Sequence, residues 1–185
     1  MAAWRHCDAR IGFEVLFSRR ERAGYELSGY STALQEGEGW GIRYAVTVDD
    51  RWVTCSAHVV AHSASGVHEV RLECDGNAMW RVDGAAAPQL GGCWDVDLEA
   101  SACTNAFPVN RLELSIGEAA DAPAAFVRAP SLRVERVEQT YERLPDDGDL
   151  ARYRYAAPAF DFRAVLVYDR SGLIIDYPGI AVRVA

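Results

Sequence analysis

Apolar residues along this chain recur with a period of two. Tyr44, Val46 and Val48 share one face of YAVTV, and Val70, Leu72 and Cys74 oppose Glu69, Arg71 and Glu73 in VHEVRLEC. Successive side chains of a strand point to opposite faces, so this alternation predicts half-buried antiparallel strands. RLELSI repeats it with Leu112, Leu114 and Ile116, and FDFRAVLVY with Phe160, Phe162, Ala164, Leu166 and Tyr168. Asp49-Asp50, Asp75-Gly76-Asn77, Asp83-Gly84, Gly91-Gly92, Asp146-Asp147-Gly148 and Arg170-Ser171-Gly172 separate the runs with turn chemistry.

The pattern predicts a mainly β protein: a single strongly curved antiparallel sheet or barrel-like meander of more than ten strands, with one or two short helices. Helical period is confined to residues 118–126, shortened by Pro123, and residues 19–36. Between residues 132 and 141 the phase slips: Leu132 and Val134 share one parity, Val137, Gln139 and Tyr141 the other. A β-bulge near Arg136 would restore one face and bend the strand.

Length and charge then narrow the partners. The 185 residues are read as one domain, 1–185, large enough for a self-sufficient core. Acids outnumber bases 27 to 19, for a net charge of −8, and every base is Arg. An acidic chain without a basic cluster repels nucleic acid and anionic membranes, and the lack of Lys removes Schiff-base chemistry and the phosphate-loop lysine. Cys7, Cys55, Cys74, Cys93 and Cys103 contain no C-x-x-C pair and read as reduced thiols. Charges at Arg5, Asp8, Arg10 and Glu14 interrupt any signal-peptide core, and no window is apolar enough for a transmembrane segment, so a cytoplasmic protein is expected.

The densest chemistry lies in Gly91-Gly92-Cys93-Trp94-Asp95-Val96-Asp97-Leu98. On a strand, Asp95 and Asp97 share a face about 6.5–7 Å apart. They could serve as an acid/base pair or as a D-x-D metal site; the simpler reading is a polar network in which they bond backbone N–H groups and pair with Arg111 or Arg183. Thr104-Asn105 ahead of Pro108 reads as a side-chain-stabilised turn into an extended segment, with Asn105 a candidate ligand contact. His58 and His62 have helical metal spacing but sit in a strand-like run, where they would stand about 13 Å apart. No G-x-S-x-G or G-x-G-x-x-G stretch appears in the right context, so neither a catalytic residue, a metal site nor a cofactor is assigned.

Aromatic side chains remain: Trp52, Trp80, Trp94, Tyr141, Tyr153, Tyr155, Phe160, Phe162 and Tyr177. Tyr153 and Tyr155 alternate with Arg152 and Arg154, giving one strand an aromatic and a cationic face. The rings either fill a core or line a curved sheet that suits an amphipathic ligand.

Several of these segments together resemble a known family. GCWDVDL, TNAFPVNRLEL, Gln139-Thr140-Tyr141 and the closing Gly172-Leu173-Ile174-Ile175-Asp176-Tyr177-Pro178-Gly179 with Arg183 are similar to the bacterial Putative glycolipid-binding family, formerly a domain of unknown function. Gly12-Phe13-Glu14 and the stretches Val48 to Trp52 and Gly76 to Trp80 fit as well. Ser101-Ala102, Ala106-Phe107 and Val109-Asn110 depart from the family pattern, while Cys93, both Asp, Thr104-Asn105 and Pro108 keep it. The resemblance implies a large curved, barrel-like sheet, similar in shape to periplasmic lipoprotein carriers, whose hydrophobic interior holds a glycolipid.

The resulting expectation is non-enzymatic binding of an amphipathic small molecule or glycolipid. Trp52, Trp80, Tyr141, Tyr153, Tyr155 and Tyr177 would form its aromatic surface, and Asp95, Asp97, Asn105, Asp176 and Arg183 a polar girdle. A hydrolase or isomerase acting through Asp95 and Asp97, and an interaction domain using exposed sheet edges, are the alternatives.

Overall fold

The computed structural model describes residues 1–8 and 10–185. The first half runs through β1 (Ala2–His6), β2 (Ile11–Glu21), β3 (Gly24–Gln35), β4 (Glu38–Val48), β5 (Thr54–Ser63), β6 (Gly66–Cys74), β7 (Trp80–Val82) and β8 (Ala85–Ala86). β9 (Asp95–Leu98), the helix α1 (Ala106–Leu112), β10 (Ala119–Asp121), β11 (Ala124–Val127) and β12 (Val134–Val137) follow. The chain closes with β13 (Thr140–Asp147), β14 (Leu150–Ala157), β15 (Phe162–Tyr168), β16 (Ile174–Tyr177) and β17 (Ala181–Arg183).

Fourteen strands form one antiparallel sheet in the order β10-β13-β14-β15-β16-β17-β1-β2-β3-β4-β5-β6-β7-β8. It is not closed; β10 and β8 are its edges. Its hairpins follow the turn residues: Gln35 faces Glu38 across Glu36-Gly37, whose φ angles of 52° and 84° are both positive, as a two-residue turn matched to strand twist requires. Asp83-Gly84 turns β7 into β8 in the same way.

Laid flat, fourteen strands about 4.8 Å apart would span some 60 Å. Yet Trp4, Leu16, Tyr44, Leu72, Tyr155 and Leu166 from across the sheet share one core with Val96, Leu98 and Phe107. The sheet therefore wraps around what it buries. Thr54, on β5, accepts a bond from the Val96 amide at 3.0 Å, while Gln139, ahead of β13, donates to Asp97 at 2.6 Å, so β9 is gripped from both halves. β9 belongs to a second sheet, β12-β11-β9, in which β9 and β11 are parallel. All eight residues of β9 and β11 are buried, as expected for strands covered on both faces.

Local expectations fail where tertiary context outweighs pattern. Residues 19–36 form most of the β2–β3 hairpin, and residues 118–126 contribute β10 and part of β11, because both runs find strand partners that outweigh the helix propensity of alanine. The α-helix instead occupies Ala106–Leu112, where an extended segment was expected. Pro108 stands in its first turn, where no intrahelical N–H bond is lost. Leu112 ends that helix and Leu114 and Ile116 lie in a loop, so RLELSI is not a strand. The phase slip after Val137 is no bulge: β12 pairs in the small sheet, β13 in the large one, and the chain crosses between them at Glu138-Gln139.

Candidate functional site

β9 presents its two carboxylates to different partners. Arg111, on α1, grips Asp95 with both Nε (3.0 Å) and Nη2 (2.6 Å), and Asp95 is 2% exposed. Asp97 accepts from Thr104 Oγ1 at 2.8 Å on one oxygen and from Gln139 Nε2 at 2.6 Å on the other. Burial pushes its carboxyl above the usual carboxylate range, against those two hydrogen bonds. Nearby, the Asn105 side-chain oxygen accepts from the Tyr141 hydroxyl at 2.9 Å. The short 3₁₀ turn Cys103–Asn105 leading into α1 is what brings Thr104 and Asn105 beneath β9.

A second polar cluster is centred on Glu14, which faces inward from β2 and is fully buried. Tyr44 Oη (2.5 Å), Ser101 Oγ and the Ala102 amide (2.7 Å) all donate to it. Burial raises its carboxyl above the ordinary value. Arg10, 8% exposed, donates from Nε to His6 Nδ1 at 3.2 Å, and its guanidinium lies 5.4 Å from the centre of the Trp40 ring.

Between these clusters lies a cavity of about 270 Å³, at the lower edge of the roughly 300–1,000 Å³ usual for small-molecule sites. Its apolar lining comes from Phe126, Phe160, Phe162, Leu98, Ala157 and Ile180. Phe126 and Phe160 meet at 5.2 Å between ring centres, and Phe162 packs edge-on to Tyr177 at 5.7 Å. Its polar lining comes from Asp97, Asn105, Ser101, Gln35, Glu99 and Arg10. Tyr155, buried, and Tyr177, half-buried, also border it with their rings 6.1 Å apart. Phe160, 37% exposed, stands where a ligand would enter.

Of the eleven residues singled out from sequence, the cavity gathers Asp97, Asn105, Tyr155 and Tyr177. Tyr141 and Tyr153 are buried behind it in a stack that continues to Tyr168. Trp80 is in the core, its indole N–H donating to the Cys93 carbonyl at 2.8 Å. Trp52 stacks on Tyr25 at 4.9 Å. Asp95 is turned to Arg111; Arg183 bonds Asp169 at 2.5 Å and not Asp95; Asp176 is exposed on β16. Among the described residues no group of three or more His, Cys, Asp or Glu is placed to hold a metal ion, and no helix is long and apolar enough to cross a membrane.

Arg10, Gln35, Ser101 and Phe126 escaped the sequence reading. They lie on four separate segments, each with unremarkable neighbours, and only the wrapping of the sheet brings them together. Glu14 did leave a signal: at its position in the alternation of β2 it is a charged residue on the buried face, the kind of residue that must find donors.

The model of the family described as Putative glycolipid-binding matches residues 1–183. A solved DUF1089 family protein from Pseudomonas aeruginosa is 33% identical, with 92% of each chain covered and a TM-score of 0.79. A β-barrel-like protein of the domain of unknown function DUF1849 from Brucella abortus is 12% identical, covering 98% of this chain and 94% of its own, with a TM-score of 0.48. No curated protein matches. On the family match over nearly the whole chain, this protein belongs to the Putative glycolipid-binding family.

Proposed function

We propose that this protein binds an amphipathic small molecule of glycolipid type in the cavity bordered by β9, β11 and β14–β16, without transforming it. The observation that carries this reading is one cavity whose lining joins apolar side chains, Phe126, Phe160, Phe162 and Ile180, with polar ones, Asp97, Asn105, Ser101 and Gln35. Apolar burial would hold the chain, and the two tyrosines would stack against a sugar ring while carboxamide and hydroxyl groups meet its hydroxyls. The family description points the same way.

The carboxylates support binding over acid/base chemistry. Two catalytic carboxyls must face one substrate, yet Asp97 borders the cavity while Asp95 is held by both arms of Arg111 on α1. The cavity volume suits one end of such a ligand, with the remainder leaving past Phe160. Native mass spectrometry of the purified protein, with organic extraction of what travels with it, tests the reading. A reproducible bound amphiphile supports it; a bare polypeptide mass, with no thermal shift from a panel of alkyl glycosides, overturns it.

A further inference from the structure

Arg10, which borders the cavity, holds more donor capacity than it uses. Arg10 is the one arginine buried among the described residues, and its Nη2 makes no hydrogen bond there. A second donor is orphaned beside it. Because His6 Nδ1 accepts from Arg10 Nε, the His6 ring carries its proton on Nε2, and that atom is also buried without a partner. Burial and the Arg10 charge hold His6 neutral, at about 4.

The acids nearby are already committed. Glu14 takes three donors, Asp97 two, and Glu99 accepts the Ala129 amide at 2.8 Å with Arg128 at 3.7 Å from its other oxygen. A buried guanidinium with no acceptor for its outer nitrogen is costly, and the contrast with Arg111, fully engaged by Asp95, lies within the same protein. A planar guanidinium with free outer N–H groups is suited to a carboxylate or phosphate.

We infer that the ligand of this cavity carries an acidic group, a carboxylate or a phosphate, seated on the outer nitrogens of Arg10, with its apolar part on Phe126, Phe160 and Phe162. This rests on the binding role proposed above and narrows its ligand class to acidic amphiphiles. The Trp40 ring at the guanidinium and the nearby charges of Glu99 and Glu14 keep the buried charge tolerable.

Calorimetric titration of the unaltered chain with decanoate, decyl phosphate and decyl β-glucoside below their micelle concentrations, with acetate and inorganic phosphate as chain-free controls, tests this. The acidic decyl compounds should bind at least about tenfold tighter than the glucoside, and Arg10→Gln should abolish that preference. Equal affinity for all three decyl compounds overturns the inference and leaves the amphiphile reading standing. No binding of any decyl compound overturns both, and so does binding of free phosphate that the decyl chain does not improve. Because the ranking is read on the unaltered chain, it decides even if Arg10→Gln fails to fold; Arg10→Lys, which keeps the charge but loses the fork, should retain only part of the preference.

Discussion

The Tyr44 hydroxyl donates to the Glu14 carboxylate at 2.5 Å inside the core, and Gly29 makes room for it. A Cβ at Gly29 would stand 2.3 Å from Tyr44 Oη and 2.7 Å from the Val15 carbonyl. Three strands thus meet at one bond: Glu14 from β2, Gly29 from β3 and Tyr44 from β4.

Two substitutions probe that meeting point. Tyr44→Phe removes one hydrogen bond to a buried carboxylate and should cost about 1.5–3 kcal/mol. Gly29→Ala should cost at least about 1–3 kcal/mol, because β-strand backbone and a buried ring must both move. Urea unfolding checks each, and the double variant should lose less than the sum, since both changes release the same contact.

The Asp95–Arg111 pair is buried at one end and nearly so at the other, with 2% and 14% of the side chains exposed. Asp95→Asn should cost about 3–5 kcal/mol by leaving the guanidinium uncompensated, whereas Asp95→Leu with Arg111→Met should recover much of the loss. Thermal unfolding of the two variants separates them. If Asp95→Asn proves silent, the pair is not the brace that ties α1 to β9.

Buried titrating groups give stability two opposing pH slopes. His6 ionises at about 4 in the folded chain and near 6.5 unfolded, so its contribution is whole above pH 6.5 and is lost as pH falls through 4, on the order of 3 kcal/mol. Glu14 and Asp97 are raised by burial, so theirs is whole below the ordinary carboxylate range and is lost as pH rises through their folded values. The His6 imidazole proton shifts should therefore stay nearly flat between pH 5 and 8. Glu14→Gln should flatten the decline of stability with rising pH.

Phe160 stands at the mouth of the cavity and carries little of the core. Phe160→Ala should leave the melting temperature nearly unchanged and weaken binding of a decyl amphiphile about tenfold, in keeping with 1–2 kcal/mol of lost aromatic contact. Unchanged affinity would place the ligand elsewhere.

Much of the architecture was legible because alternation is a local property. Tyr153 and Tyr155 point inward and Arg154 outward, as their order dictates. The helix was not legible: Ala106–Leu112 has a proline in its first turn and no side-chain N-cap, and it exists because β9 needs a covering that carries Arg111. The small sheet was hidden too, since the parallel pairing of Asp95 with Ala124 joins segments with no shared pattern. For the site, Asp97 and Asn105 could be found as polar residues in an apolar run. Arg10 and Gln35 follow turns or end strands, where polar residues are ordinary, and only the wrapping of the sheet makes them unusual.

The pairing of β1 with β17 lies in the middle of the large sheet rather than at an edge. Most strands on either side pair with their neighbours in sequence and form by local zipping. The join between them depends on residues such as Trp4 and Ile174, whose hydrogen bond spans 170 positions. Arg10 stands just beyond one side of that join, and Tyr177 and Ile180 flank the other. Contacts of the longest sequence separation therefore border the candidate cavity, which takes shape only where the two halves of the chain meet.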